Sequence, residues 1–144
     1  MKNFLEALDI NQTLKVQLSL RIIDDNGFPD FDLIFNNESI DHSNNKNIDI
    51  TKHIKHNDPI SVRIEMFGKK YSALKESAIV VEEVSIDDIN IIPKFNHCVL
   101  YNNDHNKPET TNYLGYNGVW SININEPFYN WYHFVTAQGM LIRP

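Results

Sequence analysis

The turn Asp24-Asp25-Asn26-Gly27-Phe28-Pro29-Asp30-Phe31-Asp32 gathers hard oxygen ligands into nine positions. Calcium takes six to eight such oxygens, and loop carboxylates with backbone carbonyls can supply them. Asp24, Asp25 and Asp30 are therefore candidate calcium ligands, and Asp88, in the second acidic pair Asp87-Asp88, is a fourth. The spacing is not that of an EF-hand loop, which needs glycine at its sixth position and glutamate at its twelfth. The competing reading is a solvated turn at each place. His53 and His56 would share a face if their segment were helical, but zinc needs further ligands and none stands at a recognisable interval.

Covalent chemistry has little to work with. Cys98, the single cysteine, lies in an apolar context where a thiol behaves as a small inert hydrophobe. It also excludes an internal disulfide and a cysteine-built zinc site. No Gly-x-Ser-x-Gly elbow and no glycine-rich phosphate loop is present. Glu65, Glu76, Glu82, Glu83 and Asp88 are numerous enough for a glycosidase pair, but only geometry identifies one. The expectation is a protein that is not an enzyme.

Aromatic residues crowd the last third of the chain: Tyr101, Tyr113, Tyr116, Trp120, Phe128, Tyr129, Trp131, Tyr132 and Phe134, interleaved with asparagines such as Asn102, Asn112 and Asn117. Aromatic rings stack on sugars while amides bond their hydroxyls, and protein interfaces also select such rings. Tyr113, Tyr116, Asn117, Tyr129 and Tyr132 are the candidate binding residues. Trp120 and Trp131 are expected to anchor the core.

These residues must be held by strands. Leu14-Lys15-Val16-Gln17-Leu18-Ser19-Leu20-Arg21-Ile22 alternates strictly, placing Leu14, Val16, Leu18, Leu20 and Ile22 on one face. Phe31–Phe35, Ile60–Met66, Ala78–Ile86, His97–Tyr101 and Val119–Ile124 are expected as further strands. Val80, Val84 and Ile86 are expected on one side, and Ile89 and Ile91 extend that strand after a kink at Asp87-Asp88. Asn36-Asn37 turns the chain, since asparagine tolerates left-handed backbone. Glu126-Pro127-Phe128 opens a short helix over 126–137, with Gly139 near its stop, and a weaker helix is expected at Lys2–Leu8. The pattern predicts an all-β fold: one antiparallel β-sandwich domain over 1–144, with a possible N-terminal arm at 1–10 and a short C-terminal helix.

At 144 residues the chain is one domain long, and 42% hydrophobic with 22% charged residues suits a folded one. A net charge of -6 argues against phosphate-neutralising nucleic-acid binding. No apolar run is long enough for a membrane-spanning helix. The N-terminus carries no visible secretory signal.

Two resemblances sharpen the reading. The run from Tyr113 to Ile124, with Leu114-Gly115-Tyr116-Asn117-Gly118-Val119-Trp120, followed by Pro127-Phe128-Tyr129-Asn130-Trp131, resembles a closing pattern of small uncharacterised tailed-phage proteins. Ser77 to Asn90 is similar in pattern to a strand of calcium-dependent xylan-binding modules. The resemblance implies a jelly-roll-like sandwich of carbohydrate-binding-module type, located on a virion as a capsid decoration or tail-associated accessory. Its partners would then be other virion proteins, within an oligomer or larger assembly, with no nucleic acid and no membrane. The arm residues Phe4, Leu5 and Leu8 would dock on a neighbour. The alternative is a calcium-assisted module recognising surface polysaccharide, and a third option is an intracellular phage factor that inhibits a host protein.

Overall fold

The computed structural model describes residues 13–42, 44–69, 74–104 and 108–142, with side chains to 136. The expected arm at 1–10 and the helix at Lys2–Leu8 lie outside these residues. The strands are β1 (Thr13–Asp24), β2 (Asp30–Phe35), β3 (Glu38–Ile40), β4 (Asn47–Lys55), β5 (Ile60–Phe67), β6 (Ser77–Ile86), β7 (Ile89–Ile92), β8 (Leu100–Asn103), β9 (Tyr113–Leu114) and β10 (Gly118–Ile124). Among the described residues one α-helix follows the strands, α1 (Phe128–Ile142). One sheet runs β4-β1-β6, with β7 and β9 pairing separate stretches of the far edge of β6, at Val84–Ile86 and Ile79-Val80. The other runs β3-β2-β5-β10-β8, and every pairing is antiparallel. Each sheet has one apolar face, and burying the two against each other makes an antiparallel β-sandwich.

The alternation in β1 holds throughout: Leu14, Val16, Leu18, Leu20 and Ile22 are all buried. From the other sheet Phe31, Leu33, Ile60, Val62, Ile64, Met66, Trp120, Ile122 and Ile124 meet them. Trp120 and Trp131 are core residues, as expected.

Four expectations need correction. In β6 the pairing jumps from Ser19–Glu83 to Leu20–Val81, so Glu82 is an extra residue. This β-bulge inverts the side-chain phase. Ile79, Val81, Val84 and Ile86 face the core, and Val80 faces the other way beside Tyr113. Secondly, Asp87 and Asp88 have φ of 51° and 65°, so the chain reverses there and β7 folds back on β6 instead of extending it. Asn36 and Asn37, at 47° and 67°, make the equivalent hairpin between β2 and β3. Thirdly, Asn96–Cys98 forms a 3-10 turn, and strand begins only at Leu100. Finally, α1 starts one residue after Pro127, whose carbonyl accepts the Trp131 N–H at 3.1 Å. It runs through Gly139 to Ile142, because a helical glycine costs only about 1 kcal/mol and does not stop a helix by itself.

His53 and His56 sit at the end of β4 and just beyond it. Extended chain places i and i+3 on opposite faces; His53 is exposed and His56 buried, so they are no ligand pair. β4 is an edge strand whose inward series Ile48, Ile50, Lys52, Ile54 is interrupted by a lysine. Lys52 lines a small apolar gap between the sheets with Leu18, Phe35, Ile40 and Ile50. An inward charge at an edge discourages pairing with another chain. Lys52→Ile is therefore expected to promote self-association, read as a rise in apparent mass by light scattering. An unchanged mass across a wide concentration range would contradict that role.

Candidate functional site

The candidate residues separate into two groups at opposite ends of the sandwich. Asp24 pairs with Ser77 and Val16 with Ile86, so the Asp24 end and the Asp87-Asp88 turn lie about 25–30 Å apart along the strands. Tyr113, Tyr116, Asn117, Asp24, Asp25 and Asp30 belong to the first end. Tyr129, Tyr132 and Asp88 belong to the second.

At the first end, Gly68 takes φ of 68° and turns the chain out of β5. The next residue, Lys69, is held by a side chain acting as a strand partner. Its N–H donates to Asn117 Oδ1 at 2.9 Å, and Asn117 Nδ2 donates to the Lys69 carbonyl at 3.4 Å. The Lys69 side chain is only 4% exposed. A buried ammonium needs partners, and Lys69 Nζ finds Glu76 Oε1 at 2.6 Å and the Gly115 carbonyl. It also lies 5.8 Å from the centre of the Tyr116 ring.

Glu76 is the hub. It accepts the Ser77 N–H at 2.9 Å and, on Oε2, the Tyr113 hydroxyl at 3.2 Å. Burial would raise its carboxyl. Lys69 and the Ser77 amide outweigh that with help from Tyr113, and hold it below the usual carboxylate range. The Tyr113 phenol is raised by burial and by the same carboxylate's charge and hydrogen bond. Tyr116 is fixed through its backbone: its N–H donates to the Tyr101 hydroxyl at 3.0 Å, and that hydroxyl donates to the Tyr116 carbonyl. Tyr113 and, at the end of β5, Phe67 are exposed rings of this end.

A depressed folded-state value means Glu76 adds stability above its unfolded value near 4.5, and loses it as pH falls through the lower folded one. Glu76→Gln is expected to lower the melting temperature at pH 7, with the gap from the parent closing under acid. A gap that stays constant from pH 7 down to pH 3 would show that the carboxylate's charge is not what matters.

Beside this cluster is a pocket of about 190 Å³ between the Asn26–Asp30 turn and Gly68-Lys69, with Ser77 also lining it. The turn is braced from behind. Ser77 Oγ donates to the Gly27 carbonyl at 2.8 Å, the Asn26 N–H to the Glu76 carbonyl at 2.9 Å, and the Gly27 N–H to the Asp24 carbonyl at 3.0 Å. Asp24 itself faces Lys46 at 3.5 Å, while Asp25 and Asp30 are exposed. Asp88 is committed to Lys15 at 3.0 Å at the far end, so the four aspartates do not form one ligand set. Among the described residues no three histidine, cysteine, aspartate or glutamate side chains converge on a metal-sized site.

At the second end, Tyr129 donates its hydroxyl to Asp87, and burial, that bond and the Asp87 charge together push its phenol far above the usual range. Tyr132 packs against Phe95 and Phe128 at centroid distances of 6.1 and 5.8 Å. Both rings are half-buried parts of the helix contact. Cys98, half-buried in its turn, has its thiol pushed up by burial, which disfavours a nucleophilic thiolate.

Lys69 and Glu76 organise the first end, yet the sequence marks Glu76 only as one of several possible glycosidase carboxylates and does not single out Lys69. The only local signal of Lys69 is the glycine ahead of it, which marks a turn without naming its partners. Neither a family model, nor a curated protein, nor a solved structure matches the chain.

Proposed function

We propose that the chain is a non-enzymatic accessory protein of a tailed-phage virion, a capsid decoration or tail-associated sandwich that works through protein–protein contacts. The supporting observation is Phe134. It is 57% exposed on α1, a helix anchored to the sandwich by buried Phe128 and Trp131. A large ring held out on a rigid element is the residue type that binding hot spots favour. The virion assignment itself rests on the resemblance carried by 113–124 and 127–131. The test is mass spectrometry of purified phage particles, with rebinding of the protein to particles stripped of it. Stoichiometric presence and rebinding that drops with Phe134→Ser support the reading; absence from the particles overturns it.

A second reading, recognition of surface polysaccharide, has an observation of its own: the polar pocket bordered by Phe28 and Asp30. In its calcium-assisted form, the exposed Asp25 and Asp30 offer carboxylate oxygens with the turn's backbone carbonyls completing the set, and glycan binding is then lost with a chelator. The two readings are compatible, since a particle-bound sandwich can help the particle adhere.

A further inference from the structure

We infer that the pocket between the Asn26–Asp30 turn and Gly68-Lys69 is a subsite for a single neutral pyranose ring, an assignment that rests on the polysaccharide reading. Its volume of about 190 Å³ is below the roughly 300–1,000 Å³ of sites for drug-sized ligands, which leaves room for one ring and not for a buried oligosaccharide.

The lining has the group types a sugar ring needs. Phe28, half-buried and packed 6.2 Å from the Phe31 ring, supplies an aromatic surface for the C–H face. Asp30 supplies a carboxylate, and hydroxyl-to-carboxylate hydrogen bonds are among the stronger ones. Among the described residues Asp30 makes no ion pair, so its oxygens are available. Ser77 gives its proton to Gly27 and keeps acceptor lone pairs.

Charge narrows the class further. Among the described lining residues the one cation is Lys69, whose ammonium sits on Glu76 and the Gly115 carbonyl, so it offers an anionic ligand little. Asp30 leaves the pocket acidic, which disfavours phosphate, sulfate and uronate. The walls are also preformed. A methyl group placed on Gly68 would stand 3.3 Å from Asp30 Oδ2, which shows how closely the β5 turn approaches the carboxylate. The braced turn beneath then has little to reorder on binding, which reduces the cost of association.

The experiment titrates the full chain, labelled with nitrogen-15, with the methyl glycosides of glucose, galactose, xylose and N-acetylglucosamine at millimolar concentration, and follows amide shifts. The expected result is saturable movement of the Asn26, Gly27, Gly68 and Lys69 amides with at least one glycoside, unaffected by added salt. Asp30→Ala, and Asp30→Asn as the milder change, weaken it about tenfold or more with an unchanged melting temperature. If a glycoside binds but moves amides elsewhere, and the Asp30 variants bind like the parent, the pocket assignment falls while the polysaccharide reading stands. If none binds, both fall. If methylammonium binds there instead and salt abolishes it, the site takes a cation and the sugar assignment is overturned.

Discussion

Replacing Trp120 by alanine is expected to cost about 3–5 kcal/mol of folding stability, read as a lower midpoint in urea denaturation. The residue is 0% exposed on β10, whose neighbours are β5 and β8, so no solvent can fill the space it leaves. It also donates its indole N–H to the Thr111 carbonyl at 2.7 Å, fastening the segment before β9 to the core. Trp120→Phe separates the two contributions. It keeps most of the ring volume and leaves that carbonyl short of a donor, a loss of about 1–3 kcal/mol. Against a typical total of roughly 5–15 kcal/mol, the alanine variant should be only marginally folded. A loss under about 1 kcal/mol for alanine would mean that the sheets close over the gap without help.

Gly118→Ala should be nearly as damaging, although it adds one methyl group. A β-carbon there would lie 2.2 Å from the Asn102 carbonyl oxygen and 2.6 Å from Asn103 Cα. Both are backbone atoms of the paired strand β8, so no side chain can rotate away, and β8 must part from β10. Overpacking a close contact costs about 1–3 kcal/mol and more when backbone has to move; we expect about 3 kcal/mol. Amide hydrogen exchange should accelerate at Leu100–Asn103 while remaining slow in β1. Gly27→Ala is the control. Nothing lies within 4 Å of its β-carbon position, and only its φ of 92° resists substitution, for about 1–2 kcal/mol. Equal effects for the two glycines would show that the contact at Gly118 is softer than its distances indicate.

Legibility in the sequence followed the physics of each element. β1, β2, β5 and β10 were readable because one buried face imposes strict alternation, and nothing in them breaks the period. β4 was not, because Lys52 replaces an apolar residue in the series that would have announced a strand. In β6 the apolar run was visible but its phase was not. A bulge at Glu82 depends on how β1 pairs with it, and pairing is not a property of β6 alone. The turn at Asp87-Asp88 was recognisable by type. Its reversal follows from two consecutive left-handed residues, which composition permits but does not require.

The candidate site divides the same way. Tyr113, Tyr116 and Asn117 were identified together and do share one end of the molecule. Tyr129 and Tyr132 are near them in sequence, but β10 carries the chain the length of the sandwich before α1 begins. Lys69 is not singled out by the sequence, and Glu76 is legible only as one carboxylate among several, because their meaning lies in one ion pair and in contacts with Gly115, Asn117 and Tyr113, more than thirty residues away.

The length of β1 has an energetic consequence. Groups separated by more than about 7–10 Å, with no partner in common, perturb stability independently, to within about 0.5 kcal/mol. The Glu76 hub and the Tyr129–Asp87 bond stand at opposite ends of a twelve-residue strand, so their losses are additive. Lys69 and Glu76, by contrast, share one ion pair, and removing both costs less than the sum of removing each.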